Sequence, residues 1–272
     1  MPATPRSLIL DLFGDYLRYV EGEVRLAHLT MLLGAFDVAP ATVRVTLSRL
    51  RREGWFSSRR LGRETVYRLS DHMLDVLEQG RRRIFAPPLI AWDRTWTMVI
   101  YQLSESERQG REELRKVLAW HGFGPLTTST WLAPGDRRAE IEEATGQLFA
   151  ERVDVFGCTS RDDQHDRELA TRCWDLEGLA KDYRAFLETY ADLPVRSARL
   201  TGAEALVART ELISRFRHFP FKDPRLPADL CPPDWPGVAA HECFVAAHRA
   251  LGPAARAYVG AVLGRPVPDP GA

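Results

Sequence analysis

The apolar positions of the chain change period inside residues 39–69. Val43, Leu47 and Leu50 follow one another at i, i+4 and i+7, the stripe of a helix, and about 100° of rotation per residue carries Ala41, Thr42, Val45, Ser48, Arg49 and Arg52 to the opposite face. Gly54 closes that helix. Beyond it, Trp55–Arg60 and Thr65–Leu69 read as strands joined by the short loop Leu61–Glu64, a hairpin with Arg63 at its tip. Upstream, residues 4–20 open on polar and proline start signals and keep Leu8, Leu12, Tyr16 and then Tyr19 or Val20 on one face, which predicts a first helix. Glu21 and Gly22 break it. Glu23–Arg25 supplies a short strand, Leu26–Phe36 a second helix, and Asp37–Pro40 the turn into the third, with proline where a first-turn amide has no helical partner. A fourth helix, Ser70–Gly80, ends at Arg81, Arg82 and Arg83. This order of helix, strand, helix, helix and hairpin predicts a winged helix-turn-helix over residues 1–83.

Residues 84–91, with Pro87 and Pro88, read as a stiff linker. Over 92–165 the pattern predicts a strand at Trp96–Leu103, a helix at Ser106–His121 and strands at Phe123–Thr128 and Ser129–Ala133. A helix at Arg137–Ala150 and a strand at Val153–Thr159 complete a βαββαβ order, which is ferredoxin-like. Residues 166–264 are mainly helical: Leu176, Leu179, Tyr183, Phe186, Leu187 and Tyr190 mark one face, Ala203–Phe216 a second helix, and Gly237–Leu263 a third that Gly252 and Pro253 are expected to interrupt. Between the last two, residues 215–237 (RFRHFPFKDPRLPADLCPPDWPG) form a loop longer than a mere connection needs. Such a loop either packs as a plug between domains or forms part of a ligand or dimer surface. Residues 265–272 are expected to be a disordered tail. The fold class is α+β, multidomain.

Charge sharpens the reading locally. The 272 residues hold 37 basic and 37 acidic side chains, yet residues 40–69 hold eight Arg against two Glu, a net of +6. A basic patch confined to one part of a neutral chain is the footprint of a nucleic-acid surface, because each neutralised phosphate releases counterions. The outward face of the third helix is small, hydroxylated and arginine-rich, a mix that suits a major groove; the bland alternative is a solvated charged helix. On the groove reading, Thr42, Val45, Ser48 and Arg49 touch base edges, while Arg44, Arg51, Arg52 and the wing Arg63 meet phosphates or a minor-groove edge. The chain contains no Asn, which leaves Arg to guanine and Thr or Val to thymine methyl groups.

Other chemistry is sparse. There is no Gly-rich phosphate loop, no GxSxG elbow and no His-Glu-x-x-His pair, so no enzyme, metal or catalytic cofactor is expected. His241 and His248 are spaced more widely than i, i+4 zinc ligation uses, and a structural role is expected for both. Cys158, Asp162, Asp163, His165 and Asp166 read as a polar loop after a strand rather than a metal site. Four cysteines without CxxC spacing, no apolar run of membrane length and no leader pattern predict a cytoplasmic protein with reduced thiols and no membrane partner.

Three blocks of sequence resemble one family. Residues 6–16 (RSLILDLFGDY) with 43–55 (VRVTLSRLRREGW), residues 92–101 (WDRTWTMVIY) with 122–126 (GFGPL) and 131–134 (WLAP), and residues 215–227 (RFRHFPFKDPRLP) with 234–237 (DWPG) closely resemble the PaaX family, bacterial repressors of phenylacetic acid degradation. The resemblance implies a homodimeric repressor that binds double-stranded operator DNA and lets go when an aryl-acyl-CoA, typically phenylacetyl-CoA, binds. It also implies a middle domain similar to the small CRISPR-adaptation subunit, where an Asp at the end of the first strand binds metal. The matching neighbourhood here is Tyr101, Gln102 and Leu103, and Gln is a poor ligand for a hard cation, so the fold is expected without nuclease chemistry. An acyl-CoA effector needs cations for its phosphates and an apolar slot for its aryl group. Arg215, Arg217, His218 and Lys222 beside Phe216, Phe219, Phe221 and Trp235 are candidates, and Trp92, Trp96 and Trp131 are alternatives. The rivals are a metal-dependent nuclease, a constitutive architectural DNA-binding protein, and the same fold with another effector.

Overall fold

The computed structural model describes residues 4–20, 22–86, 92–103, 107–149 and 152–271. The chain divides into two compact units, one of residues 1–86, 186–218 and 239–272, the other of residues 87–185 and 219–238. Both contain helices and a small antiparallel sheet, so the class is α+β.

In the first unit α1 (Pro5–Asp15) starts where Thr4 Oγ1 accepts the Ser7 amide at 3.2 Å and proline takes the first turn. It stops at Asp15, earlier than its periodicity predicts, and a 3-10 turn at Leu17–Tyr19 leads to β1 (Glu23–Arg25). Helix α2 (Leu26–Gly34) is followed by a turn in which Asp37 takes a left-handed φ of 58°, and α3 spans Pro40–Arg52. Gly54, at φ 79°, ends α3. Strands β2 (Phe56–Leu61) and β3 (Glu64–Leu69) pair in a two-residue hairpin whose first turn residue, Gly62, has φ 61°, a conformation that suits glycine there. The sheet order is β1-β3-β2, all antiparallel. Leu12, Phe13, Leu29, Leu33, Leu47 and Leu50 are fully sealed in the core beneath it.

Helix α4 (Asp71–Phe85), capped by Ser70, runs on through Arg81–Arg83 into the segment predicted as linker. Phe85 holds it there, 5.2 Å from the Phe244 ring and 4.9 Å from that of His248. The rest of the predicted linker, residues 87–91, lies outside the described residues.

The second unit carries β4 (Trp96–Tyr101), α5 (Arg108–Trp120), β5 (Gly124–Pro125), β6 (Thr130–Pro134), α6 (Arg138–Phe149) and β7 (Val153–Cys158). The sheet order is β5-β6-β4-β7, antiparallel throughout. Strand β5 is shorter than expected because Pro125 has no amide to donate and Thr127 Oγ1 accepts the Ser129 and Thr130 amides to make a turn. Gly124 is required by packing: a Cβ there would lie 2.5 Å from the Trp174 ring and 2.8 Å from Cys173. Trp131 and Trp96 belong to different core clusters of this unit, so the alternative tryptophan slot does not gather: Trp131 packs with Leu114, Leu118 and Ile141, Trp96 with Leu132, Leu169 and Leu230.

Helices α7 (Asp163–Cys173), α8 (Leu176–Tyr190), α9 (Leu193–Arg196), α10 (Gly202–Phe216), α11 (Phe219–Lys222) and α12 (Gly237–Leu263) complete the chain, and the division between units falls within α8. Three expectations are corrected here. The polar loop at Asp162–Asp166 is the start of α7, with Asp162 Oδ1 accepting the His165 amide at 2.8 Å. The long loop of residues 215–237 contains α11 and a 3-10 turn at Ala228–Leu230. Helix α12 passes through Pro253 without interruption, because Phe244, Ala247 and Leu251 before it and Ala255 and Val259 after it are buried on one continuous face. Among the described residues beyond Leu263 no regular element forms, and Arg256 pairs with Asp269 at 2.7 Å, a contact that composition did not foreshadow.

Candidate nucleic-acid interface

Burial of Val43, Leu47 and Leu50 against α1 and α2 fixes the rotation of α3. Ala41, Thr42, Arg44, Val45, Ser48, Arg49, Arg51 and Arg52 are therefore exposed, as the periodicity predicts. Val45 is 71% exposed, an apolar side chain available to a methyl group.

The arginines fall into two sets. Arg49 Nε lies 3.0 Å from Glu53 Oε1, while Arg6 from α1 meets Glu53 Oε2 at 2.6 Å with its guanidinium 4.2 Å over the Trp55 ring. Desolvation pushes the Glu53 carboxyl up, but hydrogen bonds from Arg6 and Arg49 outweigh it and hold the group below its usual range. Arg51 donates to Ser58 Oγ at 3.3 Å, which ties α3 to β2. Arg59 pairs with Glu23 at 2.7 Å and Arg25 with Glu64 at 2.9 Å, across the sheet. By contrast, Arg44, Arg52, Arg60 and Arg63 are exposed and make no ion pair among the described residues. Sequence reasoning overlooked Arg6, Glu53 and Arg60. Glu53 was detectable at i+4 from Arg49; nothing local marks Arg6.

The residues expected to meet an effector divide between the two units. Arg215 is exposed on the last turn of α10 beside Tyr190, and Arg217 pairs with Asp11 at 3.2 Å and donates to Ser7 Oγ at 2.7 Å. His218 is exposed. Lys222 and Trp235 belong to the second unit, Lys222 pairing with Asp182 at 3.1 Å and Trp235 standing edge-on to Tyr183 at 5.8 Å.

Among the described residues no group of three or more His, Cys, Asp or Glu is arranged to hold a metal ion. The acids at the start of α7 are engaged: Asp162 caps the helix, and buried Asp166 accepts the Trp96 indole N–H at 2.7 Å. Gln102 is exposed, and its backbone N–H donates to the Arg152 carbonyl at 3.1 Å. His248 is buried, its Nε2 3.0 Å from Asp15 and 2.8 Å from Arg209. The four cysteines are free thiols, and burial pushes Cys173 and Cys231 up to about 12. No helix among the described residues is long and apolar enough to cross a membrane.

Comparison with known proteins covers nearly the whole chain. Residues 4–73 match the family model "PaaX-like protein", residues 90–170 "PaaX protein central Cas2-like domain", and residues 174–261 "PaaX-like protein C-terminal domain". The chain is 30% identical over 268 residues to the transcriptional repressor PaaX of Escherichia coli (strain K12), covering 95% of this chain and 84% of that protein. In structure it resembles an uncharacterised protein from Mycobacterium tuberculosis at a TM-score of 0.65, with 23% identity, over 96% of this chain and 99% of the other. That likeness speaks for the fold alone.

Proposed function

The chain belongs to the PaaX family of transcriptional repressors, a non-enzymatic class of regulators, and from that premise we propose that it is an operator-binding repressor controlled by an acyl-CoA. The order α1-β1-α2-α3-β2-β3 with a three-stranded sheet supports a winged helix-turn-helix, and the β5-β6-β4-β7 order with two crossing helices supports a ferredoxin-like middle domain.

One observation carries the DNA reading: α3 seals Val43, Leu47 and Leu50 and turns Thr42, Val45, Ser48 and Arg49 outward, with exposed Arg52 and wing Arg63 flanking. In a major groove, Thr42, Val45, Ser48 and Arg49 contact base edges while Arg44, Arg51, Arg52 and Arg63 hold phosphates or a minor-groove edge. The protein acts as a cytoplasmic homodimer on a two-fold operator, and an aryl-acyl-CoA such as phenylacetyl-CoA releases it.

Fluorescence anisotropy on DNA from upstream of its own gene and neighbouring genes tests this, with random DNA at the same salt as reference. Preference for the upstream DNA that collapses with phenylacetyl-CoA is the expected result. Preference that ignores the ester removes the effector, and equal binding to random DNA removes the role given to α3.

A further inference from the structure

A groove of about 450 Å³ separates the β2–β3 hairpin from the end of α12, within the first unit. Arg59, Leu61 and Val66 line it on the hairpin side, and Val262, Leu263 and Gly264 on the other. Leu61, next to the hairpin tip, is left 45% exposed. Apolar packing therefore does little to hold the tip, and a two-stranded hairpin without such packing is marginally stable by itself. Polar ties must set its tilt.

Those ties run through β1, the edge strand of the sheet. It is three residues long and pairs with β3 at Arg68, Tyr67 and Val66. Its first residue, Glu23, meets Arg59 of β2 at 2.7 Å, and its last, Arg25, meets Glu64 at 2.9 Å, immediately after Arg63. The hairpin thus follows β1. Behind β1 stands Arg265, whose Nη2 donates to the Val20 carbonyl at 3.3 Å and to the Glu23 carbonyl at 3.4 Å, across 245 and 242 positions of sequence. Val20 caps the 3-10 turn, so its carbonyl is one that a helix end leaves without a partner, and a guanidinium serves both oxygens at once. Arg59 holds the Glu23 carboxyl below its usual range, and the charge of Arg265 adds to that pull.

Arg265 is itself held in place. Gly264, at φ 70°, turns the chain out of α12, and the Arg265 amide donates back to the Gly260 carbonyl at 3.1 Å, the longer bond of a Schellman cap. The chain then returns along the helix so closely that a Cβ on Gly260 would lie 3.0 Å from the Arg265 carbonyl oxygen. Asp269 fastens the far end to Arg256 at 2.7 Å, and Pro266, Pro268 and Pro270 stiffen what lies between. We propose that Arg265 is a positioning residue for DNA binding: the α12 cap aims it at β1, and β1 passes that position to the hairpin and Arg63, an assignment that rests on the DNA reading above.

The test is a double-variant cycle in the full-length protein, read by fluorescence anisotropy on upstream and random DNA across a salt series, with urea unfolding of each variant alongside. Arg265→Met keeps the aliphatic stem and removes the donors. It is expected to weaken upstream DNA about tenfold alone, but by less than about twofold when Arg63→Ala is already present, because the contact it positions is then gone. Arg265→Lys, which keeps the charge and a donor, is expected to lose less, and it carries the same cycle if the methionine variant unfolds. A direct phosphate contact by Arg265 would instead add to the Arg63→Ala loss and lower the salt slope by about one in that background, a result that overturns the proposal. An Arg265→Met protein that binds like wild type while Arg63→Ala weakens DNA overturns it too, and the DNA reading survives both. If Arg63→Ala and Arg265→Met each bind like wild type, the hairpin takes no part in DNA binding, and the positioning role falls with that part of the reading.

Discussion

Asp15 on α1 and Arg209 on α10 form a buried ion pair, Oδ2 to Nε 3.2 Å, although 194 residues of sequence separate them. His248 of α12 completes the cluster, and the Arg209 guanidinium lies 5.1 Å over the Tyr16 ring. Desolvation pushes the Asp15 carboxyl up, but His248 and Arg209 hold it below the usual range, while burial keeps His248 below its own. Burial disfavours the charged imidazole while Asp15 favours it, and Nε2 lies within hydrogen-bond reach of both Asp15 Oδ1 and the Arg209 guanidinium. Removing one partner of such a pair strands a charge, at a cost of about 3–5 kcal/mol. Arg209→Met is expected to lose that much in urea unfolding followed by circular dichroism. Adding Asp15→Asn should recover part of the loss, because it removes the stranded carboxylate. A double variant no more stable than the single one contradicts the pairing.

The same cluster marks where sequence reading stops. Helix α3 was legible because Val43, Leu47 and Leu50 lie within eight residues and Gly54 ends the pattern, all local signals. Glu53 carried a local signal too, at i+4 from Arg49. Asp11 and Asp15, in contrast, sit among the apolar residues of α1 with partners about 200 positions later. With 34 of the 37 basic residues being Arg, nothing singles out Arg209 or Arg217 beforehand. Pro253 was expected to interrupt α12, and buried apolar residues on both sides override that local preference. The reach of Arg265 to the carbonyls of Val20 and Glu23 was likewise illegible, since 245 and 242 positions separate them.

Arg49 and Arg52 are separated by one turn of α3 and differ in their partners. Arg49→Ala is expected to reduce discrimination between operator and random DNA by about 1–3 kcal/mol, as for a lost bidentate base contact. Arg52→Ala should weaken both DNAs alike and lower the salt slope by about one. Anisotropy across a salt series separates the two, and an equal loss on both DNAs for Arg49→Ala contradicts its assignment to a base.

Glu53 restrains both Arg6 and Arg49. Glu53→Gln removes a negative charge beside the DNA and releases two guanidinium groups to phosphate. Random DNA is then expected to bind more tightly, with a salt slope steeper by about one and a smaller preference for the operator. If affinity for both DNAs falls instead, Glu53 supports the fold of the α3 terminus rather than restraining its arginines.

Asp11 gives a pH dependence of definite sign. Burial pushes its carboxyl up to about 6, and the pull of Arg217 with the hydrogen bonds of Ser7 and Ser214 only partly opposes this. Burial prevails because the Asp11 side chain is 4% exposed, whereas Arg217, 3.2 Å away, is 27% exposed and shares its charge with water. The folded state thus binds this proton more tightly than the unfolded chain, whose Asp titrates near 3.8. The stability contributed by Asp11 is complete below that value and is lost as pH rises through about 6, a change of about 3 kcal/mol for a shift of about two units. His248 works in the opposite sense near pH 6.5, because its depressed folded value makes the unfolded chain the better proton acceptor. Wild-type curves alone therefore mix the two, and Asp11→Asn isolates one. Urea unfolding of both proteins between about pH 4 and pH 7 should show wild type losing ground to the variant as pH rises. A constant difference means that Asp11 does not titrate in that window. A difference that grows in favour of wild type means that Arg217 outweighs burial and that the pair behaves as an ordinary stabilising salt bridge.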